Sequence, residues 1–196
     1  MNRRKNGLIC LAIALLFIFC LAGCSQSEDS SGQVIEEAET EVDDTDHSGK
    51  RIYFAAPLFS EAEREYNLKI VHILEDHGYE VFLPQRDGFL APELEGLSAE
   101  EKTIKIFEKD RDEVLKADIL FFMLDGRVPD EGACVELGIA YSNGKRCYGI
   151  KSDSRSVELD LDLNPMITGC FIELFYDLDG TRLIDSLETY LDENRL

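Results

Sequence analysis

Three carboxylates, Asp110, Asp130 and Glu136, bracket one strand-turn-helix stretch. Such a set can supply a nucleophile and general acid–base groups. Glu136 is the odd residue. It follows Ala133, Cys134 and Val135 and precedes Leu137, and on a helix its neighbours three and four positions away are Ala133, Gly132, Ile139 and Ala140. An unpaired carboxylate is costly to bury, and burial raises its pKa. Two readings stand: an exposed glutamate on a thin polar side of the helix, or a pocket carboxylate serving as nucleophile or base. Asp110, among Lys109, Arg111 and Asp112, reads by composition as one acid in a solvated charged run.

The elements that must position these acids run from Ala117 to Gly144. Ile119 to Leu124 is an unbroken apolar run with aromatic and branched members, the pattern of a strand covered on both faces. Asp125-Gly126 ends it with a turn signal. Pro129-Asp130-Glu131-Gly132 then precedes a helical stretch from Ala133 to Tyr141, stopped at Asn143-Gly144. In open α/β sheets, ligands bind where a strand's carboxyl end meets the next helix.

The surrounding pattern alternates strands with helices. Arg51 to Ala56 reads as a strand closed by Pro57, and Ser60 with Glu63 forms a capping box for a helix reaching His77, with Leu68, Val71, Ile73 and Leu74 inward. Gly78 stops that helix, and a strand from Tyr79 to Leu83 completes a βαβ unit. The loop from Pro84 to Pro92 carries Phe89 and Leu90 and reads either as a lid or base-stacking wall or as a plain surface loop. A helix from Ser98 or Ala99 to Ala117 carries Ile104, Ile106, Phe107, Val114 and Leu115. Beyond it come a strand over 145–150, an acidic loop over 151–163, a short element opened by Asn164-Pro165-Met166, an apolar run over 171–176 and a helix over 181–194.

The N-terminus has a different character. Asn2-Arg3-Arg4-Lys5, the apolar run Leu8 to Leu21, and Leu21-Ala22-Gly23-Cys24 resemble the signal and lipobox of bacterial lipoproteins. That resemblance implies removal of residues 1–23, lipidation of Cys24, and a lipid-anchored address on the extracytoplasmic side of the cell membrane. Residues 24–50 read as a disordered acidic tether, and 51–196 as the folded domain. The net charge is -20, and no concentrated basic patch is evident. This argues against a nucleic-acid polymer as partner and for a small ligand.

Of six cysteines, Cys10 and Cys20 fall in the signal and Cys24 at its processing site, leaving Cys134, Cys147 and Cys170. Cys134 and Cys147 read as small core residues, with one disulfide among the three left open. The three histidines do not cluster with cysteines, so no metal site is expected.

The folded part resembles the nucleoside 2-deoxyribosyltransferases. The resemblance rests on IYFAAPLFS with Tyr53, on Asp110 ahead of Ala117-Asp118, on LDGRVPDEGACVELGIAYSNGK with Asp130 and Glu136, and on Asn164-Pro165-Met166. It implies a flavodoxin-like three-layer sandwich around a parallel sheet of about five strands, acting on deoxynucleosides and free nucleobases without a cofactor. It implies further that Glu136 is the nucleophile toward the anomeric carbon. Asp110 and Asp130 would then hold the base and manage its proton, one of them partly protonated near neutral pH, and Tyr53 would orient the nucleophile. Asn164 and Met166 would reach a neighbouring subunit's site in a homo-oligomer. The segment Ala55 to Ser60 shows no glycine nest for a phosphate, which favours nucleosides over nucleotides. Three functions remain open at this level: the transferase, an N-glycosidase of the same fold, and a nucleoside-binding surface lipoprotein without turnover.

Overall fold

The computed structural model describes residues 49–153, 163–177, 182–194 and 196. Among these residues, β1 (Arg51–Ala55), β2 (Glu80–Phe82), β3 (Ile119–Met123), β4 (Arg146–Lys151) and β5 (Glu173–Tyr176) form one sheet in the order β2-β1-β3-β4-β5. Every neighbouring pair is parallel. The order reverses between β1 and β3, which makes that boundary the switch point of the sheet. The expected flavodoxin-like architecture is the one observed.

Strand alternation divides the core into two layers. Ile52, Phe54 and Phe121 pack with α1 (Glu61–Asp76) and α6 (Leu183–Glu193), whereas Tyr53, Ala55, Leu120 and Phe122 face the opposite way. There they meet α3 (Ala99–Lys116) and α4 (Glu131–Ser142) through Val114, Ala133, Leu137 and Ala140. All five residues of β3 are buried, as a central strand covered on both faces requires.

Local chemistry fixes where the helices begin. Ser60 and Glu63 make the expected capping box on α1, and Ser98 with Glu101 makes another on α3. The segment after β2 is more ordered than a plain loop: α2 (Pro84–Asp87) starts with proline at a position where a missing N–H is harmless, and a 3-10 turn covers Ala91–Leu94. Its second strand is shorter than the sequence pattern, covering three residues. The short element after Asn164 is α5 (Pro165–Thr168). On α3 the apolar residues do not all turn inward. Val114 is buried, while Ile104, Ile106, Phe107 and Leu115 are exposed.

The membrane address needs correction. Among the described residues no helix is long and apolar enough to cross a membrane. Cys24, the signal and most of the acidic tether lie outside the described residues, as does 154–162 of the acidic loop. Cys134, Cys147 and Cys170 are free thiols, and burial pushes the Cys147 thiol up to about 12.

Candidate active site

The turn after β3 sets up the site. Gly126 has φ 128°, and a Cβ there would meet the Val128 carbonyl oxygen at 2.9 Å, so glycine alone fits. Asp125 ties this turn to the end of β4, accepting from the Ser152 backbone N–H at 2.7 Å and from the Ser152 hydroxyl. Asp130 then caps α4, its Oδ1 accepting from the Ala133 N–H at 2.8 Å. That cap fixes the start of the helix and hence the direction in which Glu136, the sixth residue of α4, points.

It points at β1. The Tyr53 hydroxyl donates to Glu136 Oε1 at 2.7 Å, and Tyr53 itself is fully buried, stacked on Phe82 with ring centroids 5.5 Å apart. Burial, followed by the charges of Glu136 and Asp110, makes the phenol hold its proton far more tightly than an ordinary tyrosine. Tyr53 is therefore a fixed donor.

Glu136 and Asp110 line one cavity of about 360 Å³, together with Phe107, Arg111, Gly132, Val135 and Ile139. That volume lies in the range of small-molecule sites. Burial raises the Glu136 carboxyl to about 7; the Tyr53 hydrogen bond opposes the rise, and the charges of Asp110 and Asp130 add to it. Asp110 is also raised, by burial first, with Lys109 opposing and Glu113 assisting. The reading of Asp110 as one acid on a solvated face thus gives way to a half-buried cavity residue. Of the two cavity carboxyls, Glu136 is the one pushed as high as about 7, because its helix presses it against the buried Tyr53 layer.

The other expected residues stand apart. Asp130 does not line this cavity; it acts on Glu136 through charge and spends one oxygen as a helix cap. Asn164 caps α5, its side chain accepting from the Met166 N–H at 2.9 Å, and Met166 is 82% exposed. Neither lines the Glu136 cavity. The walls supplied by Phe107, Arg111, Val135 and Ile139 were not picked out from the sequence as site residues. Their signal is helical spacing: Phe107, Asp110 and Arg111 on α3, and Gly132, Val135, Glu136 and Ile139 on α4, each fall on one helical stripe. A second cavity, about 420 Å³, lies between the start of α1 and the ends of β3 and β4; it shares no lining residue with the first and holds none of the three acids.

The family model described as nucleoside 2-deoxyribosyltransferase matches residues 52–180, which span the strand, the helix and all three acids. The chain belongs to the nucleoside 2-deoxyribosyltransferases. Its chemistry is the 2'-deoxyribosyl transfer characteristic of that family, and it is an enzyme of the transferase class. Among solved structures, it is similar to a 2-deoxyribosyltransferase from Bacillus psychrosaccharolyticus at 30% identity and a TM-score of 0.57, over 71% of this chain and 91% of that one. A conserved protein from Enterococcus faecalis matches at 25% identity and a TM-score of 0.59, over 74% of this chain and 98% of that one. A 2-deoxyribosyltransferase from Leishmania mexicana shares the fold at 17% identity and a TM-score of 0.52, covering 74% of this chain and 99% of that one. Comparison with curated proteins gave no match. These structures are matched over nearly their whole length by about three quarters of this deoxyribosyltransferase, so the expected membrane-address segment has no counterpart of its size in them.

The Tyr53 hydrogen bond favours the ionised form of Glu136, so its removal has a definite sign. In Tyr53→Phe, carbon-13 NMR should find the Glu136 carboxyl titrating about one unit above its wild-type position near 7. An unchanged or lower titration would contradict the assigned contact.

Proposed function

We propose that Glu136 is the nucleophile of a double-displacement exchange of 2'-deoxyribose between nucleobases. One observation carries the reading: a carboxyl held by the buried Tyr53 hydroxyl at 2.7 Å in a cavity that also contains Asp110. In the first step a Glu136 oxygen attacks the anomeric carbon as the bond to the base nitrogen breaks. The base leaves with the bonding electron pair and takes a proton from Asp110, and a deoxyribosyl ester forms on Glu136. In the second step a ring nitrogen of the incoming base attacks the same carbon and returns a proton to Asp110. Glu136 leaves as carboxylate. Two inversions give net retention.

The leaving base needs a proton placed beside it. A nucleobase is a poor leaving group unless it is protonated or strongly hydrogen-bonded as the bond breaks. Asp110 and Glu136 both bind protons more tightly than free carboxylates, each raised chiefly by burial, and the Asp110 charge adds to the rise at Glu136. The productive form has the proton on Asp110 and the charge on Glu136, where the Tyr53 hydroxyl stabilises it. Asp130 contributes through its remaining oxygen to holding the substrate while its other oxygen fixes α4. The substrates are deoxynucleosides and free nucleobases.

A homo-oligomer completes the proposal. Asn164 and Met166 do not line the Glu136 cavity, and α3 leaves Ile104, Ile106 and Leu115 exposed. Exposed apolar residues of that kind fit a second copy of the chain, which would bring Asn164 and Met166 to a neighbour's substrate.

Chromatography of a deoxynucleoside incubated with and without a second base tests the reaction. A new deoxynucleoside is expected with wild type and the second base, and a loss of at least about 10³-fold in kcat with Glu136→Ala. Equal release of free base without an acceptor would make the enzyme a hydrolase instead; full activity in Glu136→Ala would remove the nucleophile assignment. Light scattering after size exclusion is expected to give a multimer that Leu115→Asp weakens, and a wild-type monomer would contradict the shared site.

A further inference from the structure

Arg51 and Glu113 lie outside the cavity, yet they adjoin its proton-bearing group. Arg51 opens β1 two residues before Tyr53, so the two side chains leave the strand on the same face. Glu113 follows Asp110 by three positions on α3, which places both on one side of that helix. Arg51 Nη2 meets Glu113 Oε2 at 2.7 Å, and Lys116 reaches Glu113 Oε1 at 2.9 Å. The Glu113 side chain is only 12% exposed. Its charge therefore acts through a poorly screened medium, and Arg51 is its closest counter-charge.

From this geometry we infer that the Arg51–Glu113 ion pair is a positioning device for the proton on Asp110, tuning how readily that carboxyl gives the proton up. The inference rests on the role given to Asp110 in the proposed reaction. Glu113 presents negative charge one helical turn from Asp110, and Arg51 offsets it from the strand below. The balance between them sets the field at Asp110 without either side chain lining the cavity that holds substrate. The direction agrees with the finding that Glu113 raises both Asp110 and Tyr53.

The remaining charges around Asp110 act alongside. Lys109 on α3 lowers its proton affinity, and the Lys109 ammonium is itself held over the Phe89 ring at 4.7 Å and the Phe82 ring at 5.9 Å. Arg111 on α3 and Glu136 on α4 line the same cavity, Tyr53 meets Glu136 from β1 as a neutral phenol, and Asp130 stands at the start of α4. Arg51 has further partners in Glu80 at 3.4 Å and, through its backbone N–H, in Asp118 at 2.9 Å. Those contacts hold the start of β1 in place when Glu113 is changed.

Opposite substitutions must therefore push in opposite directions. Removing the cation in Arg51→Met leaves Glu113 with Lys116 as its one counter-charge among those described, so Asp110 holds its proton to higher pH. Removing the anion in Glu113→Gln releases that proton at lower pH. A merely structural defect would lower activity in both variants without moving their titrations apart.

The test is carbon-13 NMR titration of the Asp110 carboxyl in the full chain, alongside the pH profile of kcat/KM. The expected result is an upward displacement of about half a unit to one unit in Arg51→Met and a downward one of similar size in Glu113→Gln. Arg51→Lys should return close to wild type. The pH profile should follow in the same directions. Asp110 titrations unmoved, or moved the same way in both variants, would overturn the inference. Titrations that separate while the pH profiles stay together would leave the ion-pair effect standing and overturn the role of Asp110 in the reaction, so the two failures are distinguishable. Glu113→Gln retains the size and polarity of the side chain and is the informative variant if Arg51→Met does not fold.

Discussion

The site depends on one hydrogen bond between sheet and helix, that from the Tyr53 hydroxyl to Glu136 Oε1 at 2.7 Å. It joins residues 83 positions apart and holds an ionisable group against a buried face of the sheet. A carboxyl so placed faces two opposed demands. Burial makes its charge expensive, while a nucleophile must be charged to act. The phenol resolves the conflict partway: it stabilises the carboxylate enough to leave the group near neutrality, with its pKa at about 7, rather than locked in the neutral form. The same burial that raises Glu136 keeps Tyr53 protonated, so the donor persists across the working pH range.

The rest of the fold serves to keep that contact short. A parallel sheet with its switch point between β1 and β3 puts Tyr53 and the following α4 on the same side. The Gly126 turn, the Asp125 contacts to Ser152 and the Asp130 cap then determine where α4 begins. A shift of α4 by one residue would rotate Glu136 by about 100° and take it off Tyr53. Asp130 thus has a structural task that is separate from any contact with substrate. Asp110 approaches from α3, whose own start is fixed by the Ser98 and Glu101 capping box.

Much of this was legible in the chain because it is written in local patterns. The apolar run of β3, the Asp125-Gly126 turn, the Ser60 and Glu63 cap and the alternation of strand and helix each follow from neighbouring residues. The pairing of Tyr53 with Glu136 is not local, and composition gave no hint of it; motif resemblance brought the two together. Phe107 and Val135 escaped notice as cavity walls because they are exposed apolar residues on helices, which a periodicity argument assigns to the core. Similarly, α2 was hidden because Pro84 reads as a strand terminator as readily as a helix starter. The raised proton affinity was expected at Asp110 or Asp130, but its largest share falls on Glu136, since burial outweighs the mutual repulsion of the acids there. At the N-terminus the signal-like pattern led to a membrane address that the described helices and the solved relatives do not support.

The central claim is that Glu136 carries the sugar between the two half reactions. Rapid quenching of the enzyme with a deoxynucleoside and no acceptor base, followed by proteolysis and mass spectrometry, tests it most directly. The account predicts one deoxyribosyl group on the peptide containing Glu136, lost again when a second base is added before the quench. Base released in a first-turnover burst with the peptide unmodified, or the sugar found on another residue, would contradict it.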